Sequence, residues 1–164
     1  MSARLSESQI DSINVMICKE KLKDFPISTS RTQSRDMLGN IFTPWYCDAK
    51  LQEVTYNHPC GYPLKIKDVA ENYDLRRGSL EKFTEKEKEF RISPDGEIDY
   101  DMILYKINNV DYIAIDGNHR AVAAYKSGRP LNICAYIIED PDRTLCLADL
   151  HYWKKQGDSA RTTC

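Results

Sequence analysis

What most constrains this chain is the stretch between residues 101 and 138, where strongly apolar runs bracket a polar corner. Residues 101 to 107, Asp-Met-Ile-Leu-Tyr-Lys-Ile, and 110 to 115, Val-Asp-Tyr-Ile-Ala-Ile, are rich in β-branched and aromatic side chains, and the Asn108-Asn109 pair between them predicts a hairpin turn. Asp116-Gly117-Asn118 then breaks the run as a tight turn. Residues 119 to 127 read as a short helix with Ala121, Val122 and Tyr125 on one face, Gly128 as its C-terminal stop and Pro130 barring continuation. Residues 132 to 138, Asn-Ile-Cys-Ala-Tyr-Ile-Ile, return to a buried strand. The segment from 110 to 138 is therefore a β-turn-α-β unit, for which the handedness rule predicts a right-handed crossover into a parallel pair.

The rest of the chain adds weaker signals. A length of 164 residues suits one core with short extensions, and 41% hydrophobic content with seven glycines and seven prolines excludes collagenous, low-complexity and wholly disordered chains. Residues 7 to 23 carry Ile10, Ile13, Ile17 and Leu22 near a helical period, and Ser6 with Gln9 forms a capping box, so one amphipathic helix is expected there. The polar run 28 to 35 reads as a loop or the frayed start of a short helix through Leu38, and a solvated linker is a more common outcome for it than phosphate binding through Arg31 or Arg35. Residues 41 to 46, with Pro44 among aromatics, suggest a turn packed on the core. Short strands are expected within 50 to 57 and 63 to 66, a charged helix from 80 to 90 opened by Ser79, a turn at Pro94-Asp95-Gly96, and a last helix from 142 to 155 carrying Leu145, Leu147, Leu150 and Trp153. The expected fold is α/β (α+β), a mixed sheet with a β-turn-α-β core and flanking helices. Its expected organisation is an N-terminal helical extension over 1 to 45, a domain over 46 to 156 and a flexible tail over 157 to 164.

Charge limits the partners. Lys and Arg number 23 against 25 for Asp and Glu, so tight duplex DNA binding is disfavoured and only a localised basic groove is open to nucleic acid. The apolar runs fall short of a membrane span, and residues 1 to 8 lack a secretory signal, so no membrane contact and a cytoplasmic location are expected. The six cysteines form no C-x-x-C pair. No zinc is expected, although His58-Pro59-Cys60 with Cys47 is the nearest approach to a ligand set, and reduced thiols are the simpler reading, Cys134 foremost.

Chemistry concentrates at Asp116-Gly117-Asn118-His119-Arg120, where a buried strand ends and a helix begins. Free backbone N–H groups and the helix dipole attract an anion at such a place. Gly117 lets the backbone approach a ligand, Arg120 can grip two oxygens, His119 can donate or shuttle a proton, and Asp116 offers an acceptor or a magnesium ligand. The plainer alternative has Asp116 capping the helix and pairing with Arg120 while His119 is satisfied inside. Against it, five polar or glycine residues between two apolar segments are an expensive place to hold so many hydrogen bonds.

The segment Tyr112-Ile-Ala-Ile-Asp-Gly-Asn-His-Arg-Ala-Val-Ala-Ala-Tyr-Lys-Ser-Gly-Arg-Pro-Leu-Asn-Ile-Cys-Ala-Tyr resembles the core of the ParB/sulfiredoxin superfamily, whose signature is a strand, G-x-H-R or G-x-R-R, an alanine-rich helix, a glycine and a strand. Members bind nucleotides: sulfiredoxins ATP, partition proteins CTP, and free-serine kinases ADP or ATP. The resemblance implies that Gly117, Asn118, His119 and Arg120 hold phosphate, that Asp116 and His119 are catalytic, that Asp116 binds Mg2+, and that Arg77 adds an anion contact. It further implies ATP, ADP or CTP as the nucleotide and a small-molecule partner. Asn118 stands where sulfiredoxin has its catalytic cysteine, which argues against sulfinic-acid reduction, and too little chain follows residue 138 for the DNA-binding and dimerisation parts of a partition protein. Three readings remain: a phosphotransferase acting on a small hydroxyl substrate, a non-catalytic nucleotide-binding or regulatory module, and a ParB-like nuclease. For the first, Asp116 needs a partner carboxylate, with Glu53, Glu97 and Asp99 as candidates.

Overall fold

A computed structural model describes residues 3–90 and 92–157, with side chains through residue 154. Its strands are β1 (Ile27–Thr32), β2 (Phe42–Cys47), β3 (Glu53–Val54), β4 (Tyr62–Lys65), β5 (Ile98–Lys106), β6 (Tyr112–Asp116) and β7 (Leu131–Ile138). They form one mixed sheet in the order β1-β7-β5-β6-β2-β3, with β4 also pairing β2. Strand periodicity divides β5 between two cores. Ile98, Tyr100, Met102 and Leu104 are buried on one face, Ile103 and Tyr105 on the other.

Helices therefore cover both faces of the sheet. On the first face lie α3 (Arg35–Asn40), α4 (Ile66–Glu71), α5 (Leu80–Lys88) and α6 (Asn118–Ser127), which bury Leu38, Val69, Phe83 and Val122 respectively. On the second lie α1 (Glu7–Ser12), α2 (Lys19–Leu22) and the segment leading into α7 (His151–Gly157), with Ile10, Leu22, Leu147 and Leu150 in its core. The result is an α+β fold built on a mixed sheet, as the alternating apolar runs imply.

The hairpin forms at the expected place, with Tyr105 opposite Ile113 and Lys106 opposite Tyr112. The crossover does not produce the parallel pair expected of β6 and β7. Strand β5 lies between them, antiparallel to β6 and parallel to β7. Length explains the arrangement. Strand β6 ends at Asp116 opposite Ile103, leaving roughly 17 Å of β5 uncovered at about 3.3 Å per residue, and the ten residues of α6 run about 15 Å. The helix continues where the strand stops, and β7 starts beside Ile98 at the far end.

Three other expectations change. The capping box of Ser6 and Gln9 forms, but the helix expected over 7 to 23 breaks into α1 and α2. Between them the chain is held by backbone bonds from Cys18 N to Leu145 O at 2.9 Å and from Ala148 N to Met16 O at 3.1 Å, so a tertiary partner outweighs helical period. The polar run expected as a loop is β1, an edge strand with antiparallel pairing to β7. One hydrogen-bonded side suffices for an edge, and only its ends, Ile27 and Thr32, are buried. The turn expected around Pro44 is β2. Its register shifts between Phe42 and Tyr46, so the proline sits in an irregularity, and the Thr43 hydroxyl donates to Leu64 O at 2.8 Å in that interval. The boundary expected at residue 45 thus falls inside a strand of the common sheet. The last helix begins at residue 151, after a 3-10 turn at Ala148–Leu150, rather than at 142. The tail from residue 158 lies outside the described residues. Cys18, Cys47, Cys134 and Cys146 are free thiols, but Cys60 is disulfide-bonded, which corrects the reading of it as reduced; Cys47, not Cys134, is the buried one of the four.

Candidate functional site

Strand β6 delivers Asp116 to the corner and Gly117 turns the chain into α6 with φ of +84°. A side chain there would be strained twice: by the left-handed backbone, and because a Cβ would lie 3.2 Å from Met102 Cβ and 3.5 Å from Asp101 O. We expect Gly117→Ala to lower stability by about 1–2 kcal/mol, read as a shift of the urea midpoint. Gly117 has no side chain to cap the helix and makes no side-chain capping bond; the bond from Ala121 N to Gly117 O at 2.8 Å leaves the N–H groups of residues 118 to 120 without a partner among the described residues.

That helix end opens on a cleft of about 640 Å³ whose walls include Arg31, Lys86, Asp99, Asp101, Asp116 and Arg120. Arg120 lies 5.8 Å over the Tyr100 ring, with Nη2 3.8 Å from Asp116 Oδ2 and the side chain 40% exposed. At 3.8 Å the pair attracts without a hydrogen bond, so the guanidinium keeps its donors for a ligand. Asp116 is weakly held as well. Ser12 Oγ lies 2.7 Å from Gln9 O and 3.1 Å from Asp116 Oδ2, and its single proton favours the closer acceptor. Beneath Arg120, Tyr100 is buried on the cleft wall and its hydroxyl has no hydrogen-bond partner among the described residues; burial pushes its pKa up, so it stays protonated.

His119 turns inward. Its ring packs against Trp45 and Phe83, with centroids 5.1 and 5.4 Å away, and Nε2 is 3.2 Å from the buried Ser79 hydroxyl. Burial, reinforced by the charges of Lys82, Arg76 and Lys86, pushes its pKa down to about 4. At neutral pH it is therefore uncharged and offers an anion at most a neutral N–H. Ser79, expected to open the charged helix, makes no capping bond to α5; its hydroxyl is spent on His119 and on Arg76 Nη2 at 3.4 Å.

Of the residues singled out in the sequence, Asp116, Gly117, Asn118, His119 and Arg120 come together at this corner. Arg77 does not reach it: the side chain is 76% exposed and pairs with Asp74 at 3.3 Å on another surface. Its neighbour Arg76 turns inward instead, over the Trp45 ring and ion-paired with Glu53. Glu53 is thereby occupied away from the corner, and Glu97 accepts from Gln33 Nε2 at 3.3 Å. Only Asp99 of the three candidate carboxylates lines the cleft, joined by Asp101, which sequence reasoning does not single out. Arg35 donates to the carbonyls of Tyr125 and Arg129 at the end of α6, whereas Arg31 lines the cleft.

A smaller pocket of about 320 Å³ adjoins the same corner and is lined by Val15, Trp45, Tyr56, Asp116, Asn118 and Asp149 among others. Sequence reasoning misses it because its walls come from five separate stretches, 14 to 16, 44 and 45, 56, 115 to 119 and 149. One signal is present: Asp149 interrupts the apolar series Leu145, Leu147 and Leu150. Burial raises the Asp149 carboxyl to a pKa of about 6.

Fold and corner together define an α+β domain with an uncapped helix N-terminus between two pockets. No protein-family model, curated protein or solved structure matches the chain. Among the described residues, no helix is long and apolar enough to cross a membrane, and no three His, Cys, Asp or Glu side chains gather as a metal-binding group.

Proposed function

We propose that this protein binds a phosphate-bearing ligand, a purine nucleotide foremost, at the N-terminus of α6 in the manner of ParB/sulfiredoxin-like proteins, and transfers phosphate to a small hydroxyl substrate. The supporting observation is the unspent guanidinium of Arg120, one turn into a helix with no capping side chain and facing an open cleft. Arg31 adds positive charge to the walls, where Lys86 is ion-paired with Glu89 at 2.6 Å, and the Tyr100 hydroxyl, unpaired among the described residues, is a further donor. Phosphoryl transfer depends on positioning and charge neutralisation more than on covalent chemistry by the protein. In that scheme Asp116 accepts the proton of the attacking hydroxyl or contributes to holding magnesium. The carboxylates fit magnesium only as one or two ligands beside phosphate oxygens and water, with Asp99 or Asp101 supporting Asp116, since no three-residue cage is present among the described residues. When bound, the ion would neutralise charge on the phosphoryl group.

A second reading, a binding module without chemistry, is favoured by His119, which is neutral and held by Ser79 rather than free to shuttle protons. Thermal melts against ATP, ADP, CTP, GTP and inorganic phosphate, each with and without magnesium, test the common premise. A ligand present at 100 times its Kd adds about 2.7 kcal/mol to stability. The expected result is a nucleotide-dependent rise in melting temperature that Arg120→Ala removes. Melts unchanged by every nucleotide at millimolar concentration overturn the reading, as does a shift that Arg120→Ala leaves intact. Mass spectrometry of small hydroxyl acceptors incubated with protein and the stabilising nucleotide then separates transferase from module.

A further inference from the structure

The smaller pocket carries an assignment of its own. Among the described residues its charged side chains are both acidic, Asp116 and Asp149, and no lysine or arginine lines it. His119, also on its wall, is neutral, and the cation nearest to Trp45, Arg76, is already paired with Glu53. Asp149 is 7% exposed, and among the described residues no lysine or arginine lines the pocket to pair with its carboxyl. Such a group lacks a counter-charge.

Asn118 supplies the independent observation. It is 8% exposed, and its amide orientation is fixed because Nδ2 donates to Ala114 O at 2.8 Å. The remaining atom, Oδ1, is buried without a hydrogen-bond partner among the described residues. An unpaired buried acceptor costs stability, which a donor from a ligand would recover. Asn118 and the two carboxylates thus present three acceptor groups to one small volume, beside the aromatic rings of Trp45 and Tyr56. A primary ammonium group has three N–H donors and one positive charge, and it is attracted to aromatic faces.

We propose that this pocket is a binding site for a small primary amine in its protonated form, one without a carboxylate of its own. A carboxylate would meet Asp116 and Asp149 as like charges, and a quaternary ammonium would leave the Asn118 acceptor unpaired. The volume admits a molecule of few heavy atoms. Asp116 and Asn118 line both pockets, but Asp149, Trp45 and Tyr56 line this one alone, so the assignment stands without the phosphate reading.

Ethanolamine, choline, ethylene glycol and glycine serve as probes at matched ionic strength, followed by calorimetry and by the fluorescence of Trp45. Saturable ethanolamine binding is expected, with choline weaker and no measurable binding of ethylene glycol or glycine. Asp149→Asn should weaken ethanolamine by about thirtyfold or more, the loss typical of removing one partner of a buried charge pair. Circular dichroism confirms that the variant is folded, and Asp116→Asn, which should also weaken binding, provides a second variant. No saturable ethanolamine binding overturns the proposal. So does equal binding by ethylene glycol or glycine, or an affinity that Asp149→Asn leaves unchanged. Nucleotide melts that fail while ethanolamine binds would sink the phosphate reading alone, and the converse would sink this one alone.

Discussion

Replacing Asp149 with asparagine is expected to stabilise the protein at pH 7.5 by about 3 kcal/mol, because a carboxyl whose pKa rises from 3.8 to about 6 on folding costs about 1.4 kcal/mol for each tenfold weakening of the acid. For a domain of this size that is a rise in melting temperature of about 6 to 12 °C. The direction follows from which state holds the proton. Below pH 3.8 the carboxyl is protonated in both native and unfolded chains and costs nothing. Between 3.8 and about 6 the unfolded chain releases its proton first, so native stability falls as pH rises, and above 6 the penalty is complete. The gain from Asp149→Asn should therefore shrink to under about 1 kcal/mol at pH 4. His119 runs the other way. Its native pKa of about 4 lies below the ordinary 6.5, so the stability from its neutral form is present above 6.5 and is lost as pH falls towards 4. In the wild type the two slopes oppose each other between pH 4 and 6; in Asp149→Asn the His119 slope stands exposed. Chemical denaturation of both proteins at pH 4, 5.5 and 7.5 checks this. A variant no more stable than wild type at pH 7.5, or equally stabilised at pH 4, would mean that the carboxyl is not the isolated buried acid argued for above. Such an acid fits a pocket whose counter-charge arrives with its ligand, since sites kept for function commonly cost stability.

Legibility in the sequence followed how local each cause was. The hairpin, α6 and β7 could be read because apolar period, the Asn108-Asn109 turn and the Gly128 stop agree over a short span. Gly128 does end the helix in the left-handed conformation. Strand β1 could not be read, since nothing in Ser28-Thr29-Ser30-Arg31 signals that β7 will pair with it. Strand β2 was hidden by Pro44, which local rules place in a turn and the register shift admits into a strand. The corner at 116 to 120 was legible as a polar interruption in an apolar series. What that corner faces was not. Asp101 gives no signal because alternation places it on a strand facing outward, and what Asp149 faces depends on residues from 14 to 56 that share its pocket. Which of the adjacent Arg76 and Arg77 turns inward is decided by a kink. Arg76 has non-helical angles, φ −139° and ψ 56°, which send it inward to Trp45 while Arg77 faces water.

The largest loss is expected at Phe83, which lines neither pocket and yet governs the corner through packing. It is fully buried, stacked on Tyr73 at 4.7 Å and set against Trp45 and His119 at 5.9 and 5.4 Å. Phe83→Ala should cost about 3–5 kcal/mol, the range for emptying a buried aromatic site, measured by the guanidinium midpoint. Phe83→Leu, with a smaller cavity, keeps a folded protein available if the alanine variant is too weak. Stability alone would not tie Phe83 to the corner, but the titration of His119 does. Burial is the foremost cause of its lowered pKa, ahead of Lys82, Arg76 and Lys86. Opening a cavity against the ring admits water, so the pKa of His119 in either variant should climb from about 4 towards 6.5, followed by NMR of the imidazole protons. A pKa that stays near 4 while stability falls would assign the lowering to the three cations instead. In that outcome His119 would report the positive field on this side of α6, and Lys82→Gln, not a change at Phe83, would be the substitution that releases it.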